Sequence, residues 1–377
     1  MRLESSPSPK FSSLNILHTE SSLGWGGQEI RILTEAAGMI QRGFQVRLLS
    51  PPEATIYKAA PKWGVPVEGL PIARKNMTGL LALRHRLANS DADVIITHSS
   101  TDSWLTAVAS LFLRRPPPMV RLRHLSTPVP TNFPTRWLYG TASRLVITTG
   151  EGIRQRLIDV NGLPADHLLS IPTGIDLKRF SPGDQNAARL ALNLPIGIPM
   201  IGIVATLRSW KGHIQLVEAF SAIQNQKAML VIVGDGPFLD TIQKRLVQLD
   251  IPPDRVRMPG SQENIPEWLQ ALDLFVLPSY ANEGVPQALI QAMACGLPVI
   301  STPVGGIPEM IDHGRTGILT PAKDSIALAK AIDDLLDNPQ KCRQLGQAAL
   351  IQAREKGSLD GMLDRMVEAL SGVIKRH

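Results

Sequence analysis

Cysteine is almost missing from this chain: two residues among 377, Cys295 and Cys342. So few exclude a disulfide framework, and the pair lacks metal-ligand spacing. Both read as inert packing residues. Long hydrophobic runs are missing too. The longest apolar stretch, around Trp104 to Leu113, is too short to span a bilayer. Met1 to Lys10 is polar and rich in Ser and Pro, without the apolar core of a signal peptide. A cytoplasmic protein is the expectation. There is no internal repeat, no low-complexity tract and no coiled-coil heptad. Aromatic residues are few and are not interleaved with the basic ones. With no nucleic-acid motif either, nucleic acid is not an expected partner.

What the chain has is apolar sequence in short, β-branched runs. Hydrophobic residues make up 44% of it, ample for two cores, and the length suits two domains rather than one. Runs such as Val94-Ile95-Ile96, Met229-Leu230-Val231-Ile232-Val233 and Leu274-Phe275-Val276-Leu277 suit strands buried on both faces of a parallel sheet. Helix-period segments lie between them, which argues for α/β architecture. In the first half, strands are expected at Leu14–His18, Gln45–Leu49, Val94–Thr97, Met119–Arg123, Leu145–Thr148 and Leu168–Ile171. A linker rich in Pro and Gly, Ile171 to Gly183, interrupts the periodicity. A second βα series starts at Met200–Val204 and runs to about Leu335. Amphipathic helices follow at about Gln340–Lys356 and Leu359–Ile374. The expected fold is two Rossmann-like, doubly wound α/β domains, residues 1–175 and 176–377, with the last helix free to pack back on the first domain. Two such halves joined by one linker create a cleft between C-terminal strand edges, where ligands of these sheets bind.

Charge is lopsided. Residues 1–175 hold 19 Lys/Arg against 12 Asp/Glu, a net +7, while the remainder holds 20 against 21, a net −1. Arg114, Arg115, Arg121 and Arg123 cluster, as do Arg74, Lys75, Arg84 and Arg86. Read blandly, this is a solvated basic face. Read functionally, it attracts an anionic membrane surface or a phosphorylated lipid acceptor.

Several segments carry chemistry. Glu283-Gly284-Val285-Pro286 leads into a helix that bears Gln291, and it follows the strand Leu274–Leu277. The amides of Gly284 and Val285 are expected at the mouth of that helix, where open N–H groups favour an anion. Glu283 and Gln291 could grip hydroxyls of the same ligand. Gly24-x-Gly26-Gly27-x-Glu29 follows the first strand, and its glycines let a ligand approach the backbone closely. Glu29 could equally just favour the helix dipole. Arg208 and Lys211 sit after the strand ending at Val204, at a βα turn where fixed cations can stabilise developing negative charge on a bound ligand. Gly234-Asp235-Gly236-Pro237 is a tight turn with a structural reading. Met258 to Trp268 reads as a loop between a strand and a helix. His98 and His124 end apolar strands; His18 and His213 are not taken as site residues.

Taken together, these motifs resemble family four of the retaining nucleotide-sugar glycosyltransferases, which have the GT-B fold, and resemble its lipopolysaccharide- and capsule-type bacterial members. The resemblance spans nearly the whole chain and is strongest over residues 200–320. Glu283 to Gln291 resembles the family's E-x7-E region, with Gln291 in place of the second Glu. Thr206 stands where the usual Arg lies five residues before Lys211, and Arg208 is the expected substitute. The resemblance implies transfer of a hexose or hexosamine, with retention, from a nucleotide diphosphate sugar, UDP-sugar favoured over GDP-sugar. The acceptor would be a hydroxyl of a glycolipid or of a lipopolysaccharide or polysaccharide precursor at the cytoplasmic membrane face. Arg208, Lys211 and the amides of Gly284 and Val285 would carry the diphosphate charge, Glu283 would orient the sugar and Gln291 the ribose. Ile265 would touch the base, and Gly26 and Gly27 would face the donor phosphates. His124 would touch donor sugar or acceptor, with His98 and Glu29 as acceptor-side candidates. No cofactor is expected. No metal is either, since no Asp-x-Asp cluster sits in a plausible loop and the two cations would do its work. A nucleotide-sugar 2-epimerase of the same fold and a non-catalytic sugar-nucleotide-binding subunit are the alternatives.

Overall fold

The computed structural model describes residues 14–376, so the polar segment Met1 to Lys10 lies outside the described residues. Contacts divide the chain into two units: one made of the described residues up to Pro172 together with the stretch from Met362, the other Thr173–Gly361.

The first unit holds seven strands. They are β1 (Asn15–Thr19), β2 (Gln45–Ser50), β3 (Val67–Gly69), β4 (Val94–Thr97), β5 (Met119–Arg123), β6 (Leu145–Thr148) and β7 (Leu168–Ser170). All pair in parallel in the order β3-β2-β1-β4-β5-β6-β7. The chain winds outward from β1 in one direction and then from β4 in the other, so the switch point lies between β1 and β4. The edge strand β3 escaped the sequence reading because it is three residues long with Glu68 at its centre.

The second unit holds β8 (Met200–Val204), β9 (Met229–Val233), β10 (Val256–Gly260), β11 (Leu274–Leu277), β12 (Val299–Ser301) and β13 (Ile318–Leu319). Their order is β10-β9-β8-β11-β12-β13, again all parallel. Here the switch point lies between β8 and β11. Both units therefore have doubly wound Rossmann-like topology.

The strands form because their residues are wanted on both faces. Every residue of β4 and β11 is buried. In the first unit Leu17, Leu49 and Ile95 pack against Leu83 and Leu105, and Val146 and Met119 pack against Leu157 and Tyr139. In the second, Ile201, Ile203, Leu230, Ile232 and Phe275 meet Phe220, Leu289 and Met293 from the flanking helices. Phe275 is fully buried, and cutting such a ring to Ala costs about 3–5 kcal/mol.

The last helix, Leu359–Lys375, joins the first unit over most of its length. The Arg42 guanidinium meets the Asp364 carboxylate at 2.6 Å, and Arg365 donates to the Ser170 carbonyl. Among the described residues, no helix is long and apolar enough to cross a membrane.

Candidate active site

In doubly wound sheets, ligands bind outside the carboxyl ends of the strands at the switch point. Each unit places its chemistry-bearing residues there.

In the second unit, the loop after β8 carries Arg208 and Lys211, and the loop after β11 carries Glu283. They come together although they are far apart in sequence: Lys211 Nζ lies 2.7 Å from Glu283 Oε1. Backbone contacts set the approach. The Tyr280 amide donates to the Trp210 carbonyl at 2.8 Å. Gly212 has φ 79°, and a Cβ there would sit 2.0 Å from the Pro278 carbonyl oxygen. Gly305, after β12, has φ 60°, with a Cβ position 2.1 Å from the Glu283 carbonyl oxygen. Only glycine allows the three loops to close this tightly. Glu283 is 4% exposed, and burying a carboxylate is costly unless it is paired and hydrogen-bonded, as it is here by Lys211. Its Oε2 has no partner among the described residues, and Lys211 keeps two further N–H donors. Arg208 is exposed, with its guanidinium 5.8 Å from the centre of the Trp210 ring, and it forms no ion pair among the described residues.

The structure corrects one expectation in this unit. The helix bearing Gln291 is Gln287–Ala294, with Pro286 as its N-cap. Gly284 and Val285 thus precede the helix rather than forming its mouth. Proline fixes its own φ and suits a helix start, which moves the start downstream. The Gly284 carbonyl accepts from the Gly306 amide at 3.0 Å, and the Val285 side chain is buried. Gln291 does lie on that helix, half-buried, with no side-chain hydrogen bond among the described residues. Ile265 opens the helix Ile265–Gln270 and is half-buried. In the Gly234–Pro237 turn, the Asp235 carbonyl accepts from the Leu207 amide at 3.0 Å, which ties the turn to the Arg208 loop. His213 is fully buried, and burial pushes its imidazole down to about 4.

In the first unit, the ends of β1, β4 and β5 converge on a buried polar network. His18 Nδ1 lies 2.9 Å from His98 Nε2, and His98 Nδ1 lies 3.0 Å from His124 Nε2. His124 is therefore not a free strand-end imidazole: it is 8% exposed and held through one ring nitrogen. His18, set aside on sequence, is the other end of the series. A polar residue closing an apolar strand gives no sign of which neighbour it will meet. Burial pushes all three imidazoles below their ordinary value.

Asp102 fixes this edge. Its carboxylate accepts from the His98 amide (2.9 Å), the Ser99 amide (2.9 Å) and the Thr19 hydroxyl (2.8 Å). Ser99 and Asp102 form a capping box at the start of the helix Ser100–Ser110, a spacing readable in the sequence as S-x-x-D. Beside it, Glu20 accepts from the Ser99 hydroxyl (2.5 Å), the Ser22 amide (2.7 Å) and Gln28 Nε2 (2.5 Å). Burial, reinforced by the Asp102 charge, pushes the Glu20 carboxyl up to about 8, and burial takes Asp102 up to about 6. Gln28 thereby anchors the glycine loop. Gly26 is the N-cap and Gly27 the first residue of the helix Gly27–Gln41, and a Cβ at Gly27 would meet nothing within 4 Å. That side of the loop is open. Glu29 is buried in the first turn of the same helix.

The expected surface cluster of arginines is also corrected. Arg121 is buried, donating to the Ser99 carbonyl at 3.2 Å and lying over the Tyr139 ring. Arg123 is half-buried and bonds the Thr127 carbonyl at 2.6 Å. Both sit on β5 and point inward, whereas Arg74, Lys75, Arg84, Arg114 and Arg115 are exposed. Among the described residues, no group of three or more His, Cys, Asp or Glu is arranged to hold a metal ion.

The family models agree with this division. Residues 184–351 match the model described as glycosyl transferases group 1, and residues 25–179 match glycosyltransferase family 4. A D-inositol 3-phosphate glycosyltransferase of Nocardia farcinica is 27% identical over 372 residues, 87% of this chain and 81% of the relative. An N-acetyl-alpha-D-glucosaminyl L-malate synthase of Bacillus anthracis is 40% identical over 147 residues, 39% of this chain and 38% of the relative. A GDP-mannose-dependent alpha-(1-6)-phosphatidylinositol monomannoside mannosyltransferase of Mycolicibacterium smegmatis is 28% identical over 62% of this chain and 63% of its own length. Among solved structures, a glycosyltransferase from Rickettsia africae has a TM-score of 0.86 at 20% identity, covering 97% of this chain and all of its own. Anabaena HepE in complex with UDP and glucose has a TM-score of 0.84 at 24% identity, covering 95% of this chain and 99% of its own. The chain is a group 1 glycosyltransferase of the GT-B fold, with a first half of the family 4 type.

Proposed function

We propose that this glycosyltransferase moves a hexose or hexosamine, with retention and without a metal, from a nucleotide diphosphate sugar to a hydroxyl of an anionic, membrane-associated acceptor. The observation that carries the donor side is the Lys211–Glu283 pair at the switch point of the second sheet. Departure of a nucleoside diphosphate builds negative charge on the leaving oxygens. A cation held in place before the reaction stabilises that charge without reorganising. Lys211 is so held, and Arg208, three residues before it, is exposed and in no ion pair among the described residues. Glu283, fixed through Oε1, is left to receive sugar hydroxyls at Oε2. Gln291, whose side chain has no hydrogen bond among the described residues, is free to meet the ribose. The amides of Gly284 and Val285 remain in the reading as diphosphate donors from a loop rather than a helix end, and Ile265 as a contact to the base. The leaving diphosphate would itself help to deprotonate the acceptor.

Acceptor recognition is assigned to the first unit. His124, with His98 and Glu29, is its proposed contact, while Gly26 and Gly27 stay in the reading as facing the donor phosphates, Gly27 with open space beside it. An anionic acceptor suits the net +7 of residues 1–175, and the relatives named above carry D-inositol 3-phosphate, phosphatidylinositol monomannoside or L-malate in their names. A glycolipid or a lipopolysaccharide or polysaccharide precursor at the cytoplasmic membrane face remains our proposal for the acceptor. Leu111 and Phe112, both more than half exposed, stand next to Arg114 and Arg115, and apolar residues flanked by basic ones suit contact with an anionic lipid surface.

UDP-sugar is the donor we propose over GDP-sugar, and both enter the test. Purified protein is incubated with each nucleotide sugar, with and without anionic glycolipid acceptor, and the freed nucleotide and the anomeric configuration of the product are measured. Acceptor-dependent release with retained configuration supports the proposal. Release without acceptor, accompanied by an epimerised sugar, would replace it with the epimerase reading. If the Gln291→Glu variant gains turnover where the wild type has none, the site as it stands is a binding site only.

A further inference from the structure

Valence ties the three imidazoles of the first unit together. A neutral imidazole carries one N–H and one bare nitrogen. His98 is bonded at both nitrogens, to His18 through Nε2 and to His124 through Nδ1. Only two neutral arrangements satisfy both bonds. In one, His98 donates from Nδ1, so His124 carries its proton on Nδ1 and His18 is bare at Nε2. In the other, His98 donates from Nε2, so His18 carries its proton on Nε2 and His124 is bare at Nδ1. The outer nitrogens of His18 and His124 cannot both be protonated, nor both be bare.

The ring geometry supports a true series. The His18 and His98 planes are within 5° and their centroids 5.2 Å apart, as an in-plane bond between ring edges requires; His98 and His124 are 5.3 Å apart at 32°. The two ends differ. His18 is fully buried, its Nε2 without a partner among the described residues, and the Arg31–Glu35 ion pair (2.9 Å) of the helix Gly27–Gln41, itself fully buried, acts on it through its charges. Glu35 favours a proton on His18 and Arg31 opposes one. His124 is the end nearest solvent, and the cations acting on it are Arg31, Arg121 and Arg123. Arg31 in turn feels Arg365 on the last helix. The Asp102 carboxylate holds the His98 backbone, and the Thr149 hydroxyl donates to the His124 carbonyl at 3.1 Å.

We infer that His18 and His98 are positioning residues which, through this series, set whether His124 offers its substrate an N–H or a lone pair. The inference rests on the reading of His124 as a substrate contact. It makes the buried Arg31–Glu35 pair, which touches no substrate, the element that biases the reacting edge.

Nitrogen NMR of the ring atoms in the full-length wild-type protein at neutral pH tests it, with signals assigned by single histidine substitutions. The expected result is three neutral rings, with a proton on the outer nitrogen of either His18 or His124 and never on both. Two outer protons, two bare outer nitrogens, or an imidazolium among the three would overturn the inference. In His98→Phe the His124 nitrogens should move toward averaged values, and kcat should fall on the order of tenfold with donor KM little changed. Unmoved His124 signals in that folded variant would also overturn it. Should the variant not fold, the wild-type correlation decides. Full-rate transfer by His124→Ala with that correlation intact would remove the positioning role while leaving the tautomer coupling, which separates failure of the substrate reading from failure of the series.

Discussion

Lys211 Nζ and Glu283 Oε1 are 2.7 Å apart although 72 residues separate them in sequence. The pair joins the loops after β8 and β11 and places a cation and a carboxylate side by side at the switch point of the second sheet. If both serve the donor, they act as one device. Lys211→Ala and Glu283→Gln should each lower kcat by about a hundredfold, and the double variant should lose far less than the product of the two. Full additivity in a double-mutant cycle would show two independent contributions. Removing Lys211 also strands a buried carboxylate. That should cost about 2 kcal/mol in urea unfolding, less than for a fully buried pair because Lys211 is partly exposed.

Loop closure depends on two glycines. Gly212→Ala puts a Cβ 2.0 Å from the Pro278 carbonyl oxygen at φ 79°, and Gly305→Ala puts one 2.1 Å from the Glu283 carbonyl oxygen at φ 60°. Each substitution should destabilise the second unit by about 2 kcal/mol or more and weaken nucleotide binding. A denaturation midpoint unchanged in either variant would contradict the packing described.

Stability should depend on pH with a maximum close to neutrality. His18, His98 and His124 are held below 6.5 by burial, so as pH falls below about 6.5 the unfolded chain takes up protons that the folded one refuses, and stability falls. Glu20 acts in the opposite sense. Its folded value of about 8 lies above the ordinary 4.5, so its contribution is full below 4.5 and is lost as pH rises toward 8. Glu20→Gln should flatten the alkaline side of the profile and leave the acid side in place. Urea midpoints between pH 5 and 8.5 measure this, and an unchanged alkaline slope in the variant would count against the buried, protonated Glu20.

Binding to anionic vesicles should be salt-sensitive and should weaken severalfold in Phe112→Ser and in the Arg114→Gln, Arg115→Gln double variant, since each basic residue near such a surface contributes about 1 kcal/mol. Vesicle flotation at low and high salt measures it. Equal binding by wild type and variants would place any membrane contact elsewhere.

Much of the fold was legible because the buried parallel strands are written as continuous apolar runs: β4, β5, β6, β8, β9 and β11 fall where those runs predict. The strands β3 and β13 were not, being two or three residues long at sheet edges. In the second unit, glycine-bounded loops pointed to Lys211 and Glu283, and the folded chain brings them into contact. The first unit hid more. Arg31 and Glu35 look like an ordinary i,i+4 surface pair, yet both are fully buried. Arg121 and Arg123 look like surface charge and turn inward. His18, Glu20 and Asp102 acquire their partners only when strands far apart in sequence align, and no local spacing records that alignment.

The most direct measurement is a thermal-shift comparison of wild type and Lys211→Ala against UDP, GDP, ADP and their sugar conjugates. A ligand at a hundred times its Kd stabilises the state that binds it by about 2.7 kcal/mol, a shift of several degrees. One nucleotide family should raise the wild-type midpoint and leave the variant's unmoved. Equal shifts in both proteins, or none with any nucleotide, would contradict the assignment of the Lys211–Glu283 pair as the donor site.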